Sequence, residues 1–387
     1  MNKIRSSRWL CGTTWIALGV AALFGCSGGE DGGGGGEGGA GSGGSGTSST
    51  TTSGPGPGST GTTSTTSTSA GPGPTTSSTS SGSNEGGGGS SSGTGGAAPS
   101  EEKFVGNITT SGAVREGFAR YWNQITPENE GKWASVERSR GNRDWSKLDA
   151  IYRYAQENNL IFKHHVFVWG SQQPDWIANL SAADQRQAVR DWMQAFCERY
   201  PDTKYIDVVN EPPPHTTPSY KAGLGGDGAS GWDWIVNSFK WAREFCPNAV
   251  LILNDYNNIE YQGEHNHFKE IARKVIEAGA PVDAIGAQAH DAFKINTTQV
   301  KGFIDSLASL GKPVYITEYD IGIQNDEEQR RVMEEQFTMF WNHPAVPGIT
   351  LWGYIVGATW RDNTGIQHAN GTMRPAMSWL MEFLGRE

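Results

Sequence analysis

Two glutamates close β-rich runs: Glu211 after Asp207-Val208-Val209-Asn210, and Glu318 after Val314-Tyr315-Ile316-Thr317. Two carboxyl groups on separate strand ends are what hydrolysis of a glycoside requires. One protonates the leaving oxygen, and the other attacks the anomeric carbon or activates a water. The two must ionise at different pH, so their neighbours must differ. Asn210, beside Glu211, can bond a sugar hydroxyl. His290 and Asp320 can hold Glu318 ionised by hydrogen bonding and positive charge. Either glutamate taken singly reads as a surface residue; the pairing gives the catalytic reading its force.

Such a pair needs a scaffold that brings distant strand ends together. From Lys103 onward, short apolar runs alternate with amphipathic stretches. The runs are Phe104–Ile108, Trp122–Pro127, Ile161–Trp169, Tyr205–Asn210, Val250–Asn254, Ala284–Ala289, Val314–Glu318 and Gly348–Trp352. One helix is expected to start at Ser181, with Asp184 as its capping-box partner and Val189, Met193, Phe196 and Tyr200 along one face. Another starts near Ser230 with Ile235, Phe239 and Ala242; a third carries Met333, Phe337 and Phe340. This alternation predicts an α/β chain folded as a (β/α)8 TIM barrel. An open doubly wound sheet is the alternative, but its phosphate-binding glycine loop is absent. Polar and aromatic residues follow seven of the eight runs, as in Asn254-Asp255-Tyr256-Asn257 and Gln288-Ala289-His290. In a barrel these ends share one rim, where active sites lie.

The stretch Trp122-Asn123-Gln124-Ile125-Thr126-Pro127-Glu128-Asn129-Glu130-Gly131-Lys132-Trp133 resembles the second-strand signature of glycoside hydrolase family 10, the retaining endo-β-1,4-xylanases. Asp207–Glu211, Asn254–Asn257, Gln288–His290, Thr317–Asp320 and Ile349–Gly353 resemble further signatures of that family, and the likeness runs from about Lys103 to Leu384. The resemblance implies that Glu211 is the acid/base and Glu318 the nucleophile. It implies that Glu128, Asn129 and Lys132 hold the distal glycone sugar, with Gln172 on that side. His165, Trp169, Asn210, Gln288 and His290 would surround the sugar being cleaved. Trp352 and Trp360 would wall the cleft, Tyr256 would meet the aglycone, and Asp320 would support Glu318. The chain departs from the family at Gly170, where His is usual, and at His164, where Gly is usual. Its loop after the first strand, from Thr109 to Glu116, is short. Pro212-Pro213-Pro214-His215 follows Glu211, and the last loop, from Gly353 to Arg361, lacks the usual acidic residue. These departures bear on subsite preference rather than on the chemistry.

The chain has 387 residues and 53 glycines, of which 27 lie between Ser27 and Ser100. That uneven distribution divides it into residues 1–26, 27–100 and 101–387. The first segment reads as a secretory signal: Lys3, Arg5 and Arg8, an apolar run, then Leu23-Phe24-Gly25-Cys26, which resembles a bacterial lipobox. A lipidated Cys26 would make the protein an exported lipoprotein on the cell surface or outer membrane; an ordinary cleaved signal would leave it secreted. The second segment is a glycine, serine and threonine linker without lysine, arginine or aromatic residues, and disorder is expected there. Its Gly41-x-Gly43-x-x-Gly46 matches a dinucleotide fingerprint in letters only, with neither strand nor helix around it.

The net charge of −10 argues against nucleic acid as a partner. No cofactor or metal is expected: Cys-x-x-Cys and His-Glu-x-x-His are absent, and His265-x-His267 reads as polar helix-start surface. Thirteen tryptophans beyond the leader suit either sugar stacking or a tryptophan-rich core. Cys197 and Cys246, each near the end of a helix, are either a disulfide in an exported protein or two small buried side chains. The expected partner is xylan or a xylo-oligosaccharide, met by a monomer whose membrane contact is the anchor at Cys26. The rivals are another β-1,4-glycanase, such as a cellulase or mannanase, and a non-catalytic surface glycan-binding lipoprotein.

Overall fold

The computed structural model describes residues 103–386. The leader, Cys26 and the linker expected at 27–100 lie outside the described residues. Eight parallel strands close into a barrel in sequence order: β1 (Phe104–Ile108), β2 (Gln124–Thr126), β3 (Ile161–Trp169), β4 (Tyr205–Asn210), β5 (Val250–Asp255), β6 (Ala284–Ala287), β7 (Val314–Tyr319) and β8 (Gly348–Leu351). Closure comes from β1 against β8, with Val105 opposite Ile349. The helices are α1 (Phe118–Tyr121), α2 (Trp133–Val136), α3 (Ser146–Glu157), α4 (Ala182–Arg199), α5 (Asp233–Phe245), α6 (Gln262–Glu277), α7 (Thr297–Ala308), α8 (Asp326–Asn342) and α9 (Pro375–Leu384).

Local sequence sets these ends. Ser181 caps α4 by accepting from the Asp184 amide at 3.2 Å, and Asn325 caps α8 by accepting from Glu328 at 3.0 Å. Each such cap is worth about 1 kcal/mol. Pro375 opens α9, and Gly385 closes it at φ 64°. Strand β2 is shorter than the expected Trp122–Pro127. Trp122 is instead the cap residue after α1 and is buried at 1 % exposure. A tryptophan that size is placed by the core, which outweighs its strand propensity.

The closed end of the barrel is plugged by aromatic rings. Phe104 lies 5.2 Å from Tyr205 and 5.9 Å from Tyr315, and Tyr205 lies 5.1 Å from Tyr315. Gly348 makes room for them, since a Cβ there would come within 2.1 Å of Phe104. Polar side chains also lie buried along the strands. Gln124 accepts from Thr350 and donates to Thr126, both at 2.8 Å, and Lys163 Nζ lies 2.7 Å from Asp207. That polarity begins the active rim.

The tryptophans answer mostly to packing. Trp122, Trp133, Trp192 and Trp234 are buried in the core, and Trp133 and Trp145 stack on Trp192 at 5.7 and 5.5 Å. Three of the thirteen, Trp169, Trp352 and Trp360, line the cleft. Cys197 and Cys246 form a disulfide between the ends of α4 and α5, with Cα atoms 5.3 Å apart. His265 corrects the surface expectation for that pair: it is buried, 2.8 Å from Asn258 O and 2.9 Å from Ser306 Oγ. Its position in the first turn of α6 faces α7, whereas His267 is exposed.

Candidate active site

The C-terminal rim encloses a cavity of about 440 Å³. Lys132, His165, Trp169, Gln172, Glu211, Tyr256, Gln288, His290, Glu318, Trp352 and Trp360 all line it. Five residues other than glycine adopt positive φ just past their strands: Ser111 (51°), Gln172 (46°), Glu211 (52°), Asn257 (60°) and Ala289 (64°). Such a conformation costs on the order of 1 kcal/mol or more for a residue like glutamate. The Glu211 amide donates to Asn254 O at 2.9 Å, which holds the turn and aims the side chain.

Glu211 sits among donors. Trp169 Nε1 reaches its Oε2 at 2.8 Å, while Asn210 and Gln288 each reach its Oε1 at 3.1 Å. Glu318 sits among different groups. Asn254 Nδ2 donates to its Oε1 at 2.9 Å, and His290 Nε2 lies 3.4 Å from its Oε2. Burial acts to raise the Glu318 pKa. The His290 bond and the charges of His165, His290 and Lys163 together outweigh it, and the carboxyl is held down at about 2. His290 donates from Nδ1 to Asp320 Oδ2 at 3.0 Å. Burial opposes its charge, but Asp320 and Glu318 raise it to about 10. Trp360 Nε1 donates to the same Asp320 oxygen at 2.8 Å.

One side of the cavity is built on residues that follow β2 and lie along β3. Lys132 Nζ donates to Asn129 Oδ1 at 2.9 Å and lies 5.1 Å from the Trp169 ring centre. Burial lowers its pKa, against the surrounding glutamates. Glu128 is raised, first by burial and then against the pull of Lys132. His165 Nδ1 pairs with Asp207 Oδ2 at 2.9 Å, and Lys163 holds that same oxygen. The other histidine on this strand, His164, is fully buried 3.8 Å from the Phe196 ring, and burial holds it neutral.

Three expected contact residues stand back from the cavity wall. Asn210 is 1 % exposed; its Oδ1 accepts from Asn254 at 2.9 Å and Gln288 at 3.2 Å, and its Nδ2 serves Glu211. One of the two amide hydrogens of Asn210 is thus given to Glu211. Glu128 and Asn129 are not among the residues that line the cavity; Asn129 faces a neighbouring groove of about 480 Å³. Sequence reasoning did not single out Asn257, Asp291 or Arg361, which line the cavity, nor Asn254. The motif Asn254-Asp255-Tyr256-Asn257 carried the signal for two of these; Arg361 lay in the variable last loop. Among the described residues, no group of three or more His, Cys, Asp or Glu side chains is arranged to hold a metal.

Residues 90–383 match the family model described as Glycosyl hydrolase family 10. The chain belongs to glycosyl hydrolase family 10. Endo-1,4-beta-xylanase B of Cellvibrio japonicus is 51 % identical over 281 residues, covering 72 % of this chain and 45 % of that protein. This family 10 chain therefore spans less than half the length of that relative. Endo-1,4-beta-xylanase A of Caldicellulosiruptor saccharolyticus is 30 % identical over 307 residues, 70 % of this chain and 89 % of the relative. The fold is shared with native xylanase 10B from Thermotoga maritima at a TM-score of 0.65 and 24 % identity, covering 73 % and 95 % of the two chains. A family 10 stretch also aligns with the anti-sigma-I factor RsgI6 of Acetivibrio thermocellus, 28 % identical over 66 % of this chain and 33 % of that protein. Function must therefore be argued from the site.

Proposed function

We propose that this protein is a retaining endo-β-1,4-xylanase acting on xylan or xylo-oligosaccharides by double displacement. One observation carries the reading: two carboxyl groups share one cavity, and one of them, Glu318, is pinned by the His290 imidazolium and held at a pKa of about 2. An anion of that kind is a nucleophile at any working pH. Glu211, ringed by Trp169, Asn210 and Gln288, is the group that trades a proton.

In the first step a Glu318 oxygen bonds the anomeric carbon as the glycosidic bond breaks. The Glu211 proton passes to the leaving oxygen. In the second, Glu211 takes a proton from water, the hydroxide oxygen bonds the anomeric carbon, and the ester to Glu318 breaks. Glu211 is again protonated and Glu318 again ionised. Lys132, with Asn129 and Glu128 behind it, supports binding of the glycone.

Glu318→Ala should abolish turnover of xylohexaose. Glu211→Ala should spare aryl xylobiosides with good leaving groups, which need no proton, and azide should restore its deglycosylation. Early products followed by NMR should carry the β configuration. An α-configured first product would overturn the nucleophile assignment, and equal losses for Glu211→Ala on both kinds of substrate would overturn the acid/base one.

The sequence ahead of the barrel supports attachment of the enzyme to a membrane through an acylated Cys26. Cys26→Ser should release the protein from the membrane fraction or leave the leader uncut. A wild type found wholly in the medium would rule the anchor out.

A further inference from the structure

The reaction as described leaves one cluster of ionisable groups unused. The loop after β4, Pro212-Pro213-Pro214-His215, turns His215 in toward the end of β5 and the first turn of α6. His215 Nδ1 lies 2.7 Å from Asp255 Oδ1, and Nε2 lies 3.0 Å from Glu264 Oε2. With both carboxyl groups ionised, the imidazolium alone supplies two donors. The Tyr256 ring lies flat against it, centres 3.7 Å apart and planes 13° apart. The Tyr256 amide donates to the same Asp255 oxygen at 2.9 Å. That tyrosine lines the cavity together with Glu211. The loop is tied down at both ends, by His267 Nε2 against Pro213 O at 3.0 Å and by Thr216 Oγ1 donating to Glu211 O at 2.7 Å.

We propose that His215 is a positioning residue for the aglycone side of the cleft: clamped between Asp255 and Glu264, it fixes the Tyr256 ring as the face on which the leaving sugar packs. The proposal rests on the xylanase reading, which puts the glycone at Lys132 and so leaves the Tyr256 side for the sugar that departs. A ring backed by a cation is held in place by the ring's own negative face. A fixed platform spares a bound sugar the cost of ordering it.

The clamp depends on pH. The groups facing His215 are Asp255 and Tyr256 from β5 and the residue after it, Glu264 from α6, and Glu211 at the root of its own loop through its charge on Asp255 and Tyr256. His267 of α6 holds the loop at Pro213. Burial opposes protonation of His215, but Asp255 and then Glu264 outweigh it and raise its pKa. Burial lifts Asp255 to about 7 against the pull of His215, so the two titrate as a pair. Since the His215 pKa is raised, the imidazolium clamp is lost as pH rises through that value.

The test compares xylohexaose, which fills the aglycone side, with β-xylobiosyl fluoride, whose leaving group is a single ion. In the full chain, His215→Asn and His215→Ala should lower kcat/KM on xylohexaose about tenfold, chiefly through KM. Their kcat/KM on the fluoride should stay within about twofold. In the wild type, KM for xylohexaose should rise as pH rises through the raised His215 pKa. Glu264→Gln should move that rise to lower pH, and His215→Asn should flatten it. Equal losses on both substrates, or a wild-type KM for xylohexaose independent of pH, would overturn the proposal. Should the His215 variants not fold, the wild-type KM profile and Glu264→Gln still decide it. A wild type that cleaves neither substrate would overturn the xylanase reading instead.

Discussion

Asn254 donates from one amide nitrogen both to Glu318 Oε1 and to Asn210 Oδ1, each at 2.9 Å. Asn210 in turn donates to Glu211. Both carboxyl groups therefore hang on one short chain of amides across β4, β5 and β7. Thr317 fixes the flip of Asn254 by donating to its Oδ1 at 2.7 Å, and Gly286 leaves the space, since a Cβ there would come within 2.2 Å of that oxygen.

Removing that amide should cost more than one hydrogen bond. Bonds to charged groups contribute about 1.5–3 kcal/mol, so Asn254→Ala should lower kcat by about 10- to 100-fold. Asn254→Asp should do worse at low pH, because a second carboxyl beside Glu318 raises the pKa of one of them. Kinetics of both variants on an aryl xylobioside would show it; an Asp variant as active as wild type at pH 5 would refute it.

The low pKa of Glu318 makes a prediction of its own. A carboxyl held at about 2 against an ordinary value of about 4.3 contributes stability above the ordinary value, lost as pH falls toward 2. On a substrate that needs no proton, kcat/KM of the wild type should show no loss of nucleophile down to about pH 4. His290→Gln removes the leading cause of the depression and leaves burial to push the other way. The acid limb should then move up by about 1 to 3 pH units. An unmoved limb would mean that Asn254 and the charges of His165 and Lys163 suffice.

How much of this was legible beforehand depended on the kind of signal. Strands β1, β3 and β4 end where the apolar runs end, because both faces of a barrel strand are buried and polarity returns abruptly at the rim. The cavity-lining role of Trp169, Gln172 and Tyr256 was legible because rim position follows from strand position. An amide beside a carboxyl looks the same in sequence whether it faces sugar or protein, so the bonds that join Asn210 to Asn254, Gln288 and Glu211 had to be seen in the structure. The Gly170 departure also has a cause that one sequence could not show. A Cβ there would lie 2.6 Å from Thr217 N and 2.7 Å from Thr216 Cβ, so the proline-rich loop after Glu211 fills the space a histidine would need. Residues 47 positions apart had to be seen together.

The Cys197–Cys246 bridge closes a loop across 49 positions. Chain-entropy reasoning gives about 4 kcal/mol for a loop of that length, within a usual range of about 2–5 kcal/mol. Cys197→Ser with Cys246→Ser should therefore lower Tm by several degrees, about 2–4 °C for each kcal/mol in a domain of this size. Activity at 25 °C should be kept, since the bridge joins the ends of α4 and α5 away from the catalytic rim. A calorimetric scan of the double variant against wild type checks this, and an unchanged Tm would show that the helices hold without it.

Glucose carries a hydroxymethyl group at C5 where xylose has hydrogen, so a wall close to that edge excludes the larger sugar. Trp352 is 5 % exposed and Trp360 51 %, which makes Trp360 the wall that can be trimmed without opening the core. Trp360 also holds Asp320, and through it His290, so Trp360→Ala alters both the wall and the electrostatics of Glu318. Trp360→Phe separates the two: it keeps a ring and loses the donor. If the wall sets selectivity, Trp360→Ala should raise kcat/KM on aryl cellobioside relative to aryl xylobioside, by about 10-fold or more for a steric clash relieved. Trp360→Phe should lower both constants together and leave their ratio near that of wild type. A ratio that moves equally in both variants would place the selectivity in the Asp320–His290 chain, and a ratio unmoved in both would shift the wall to Gln172 and the Gly170 turn.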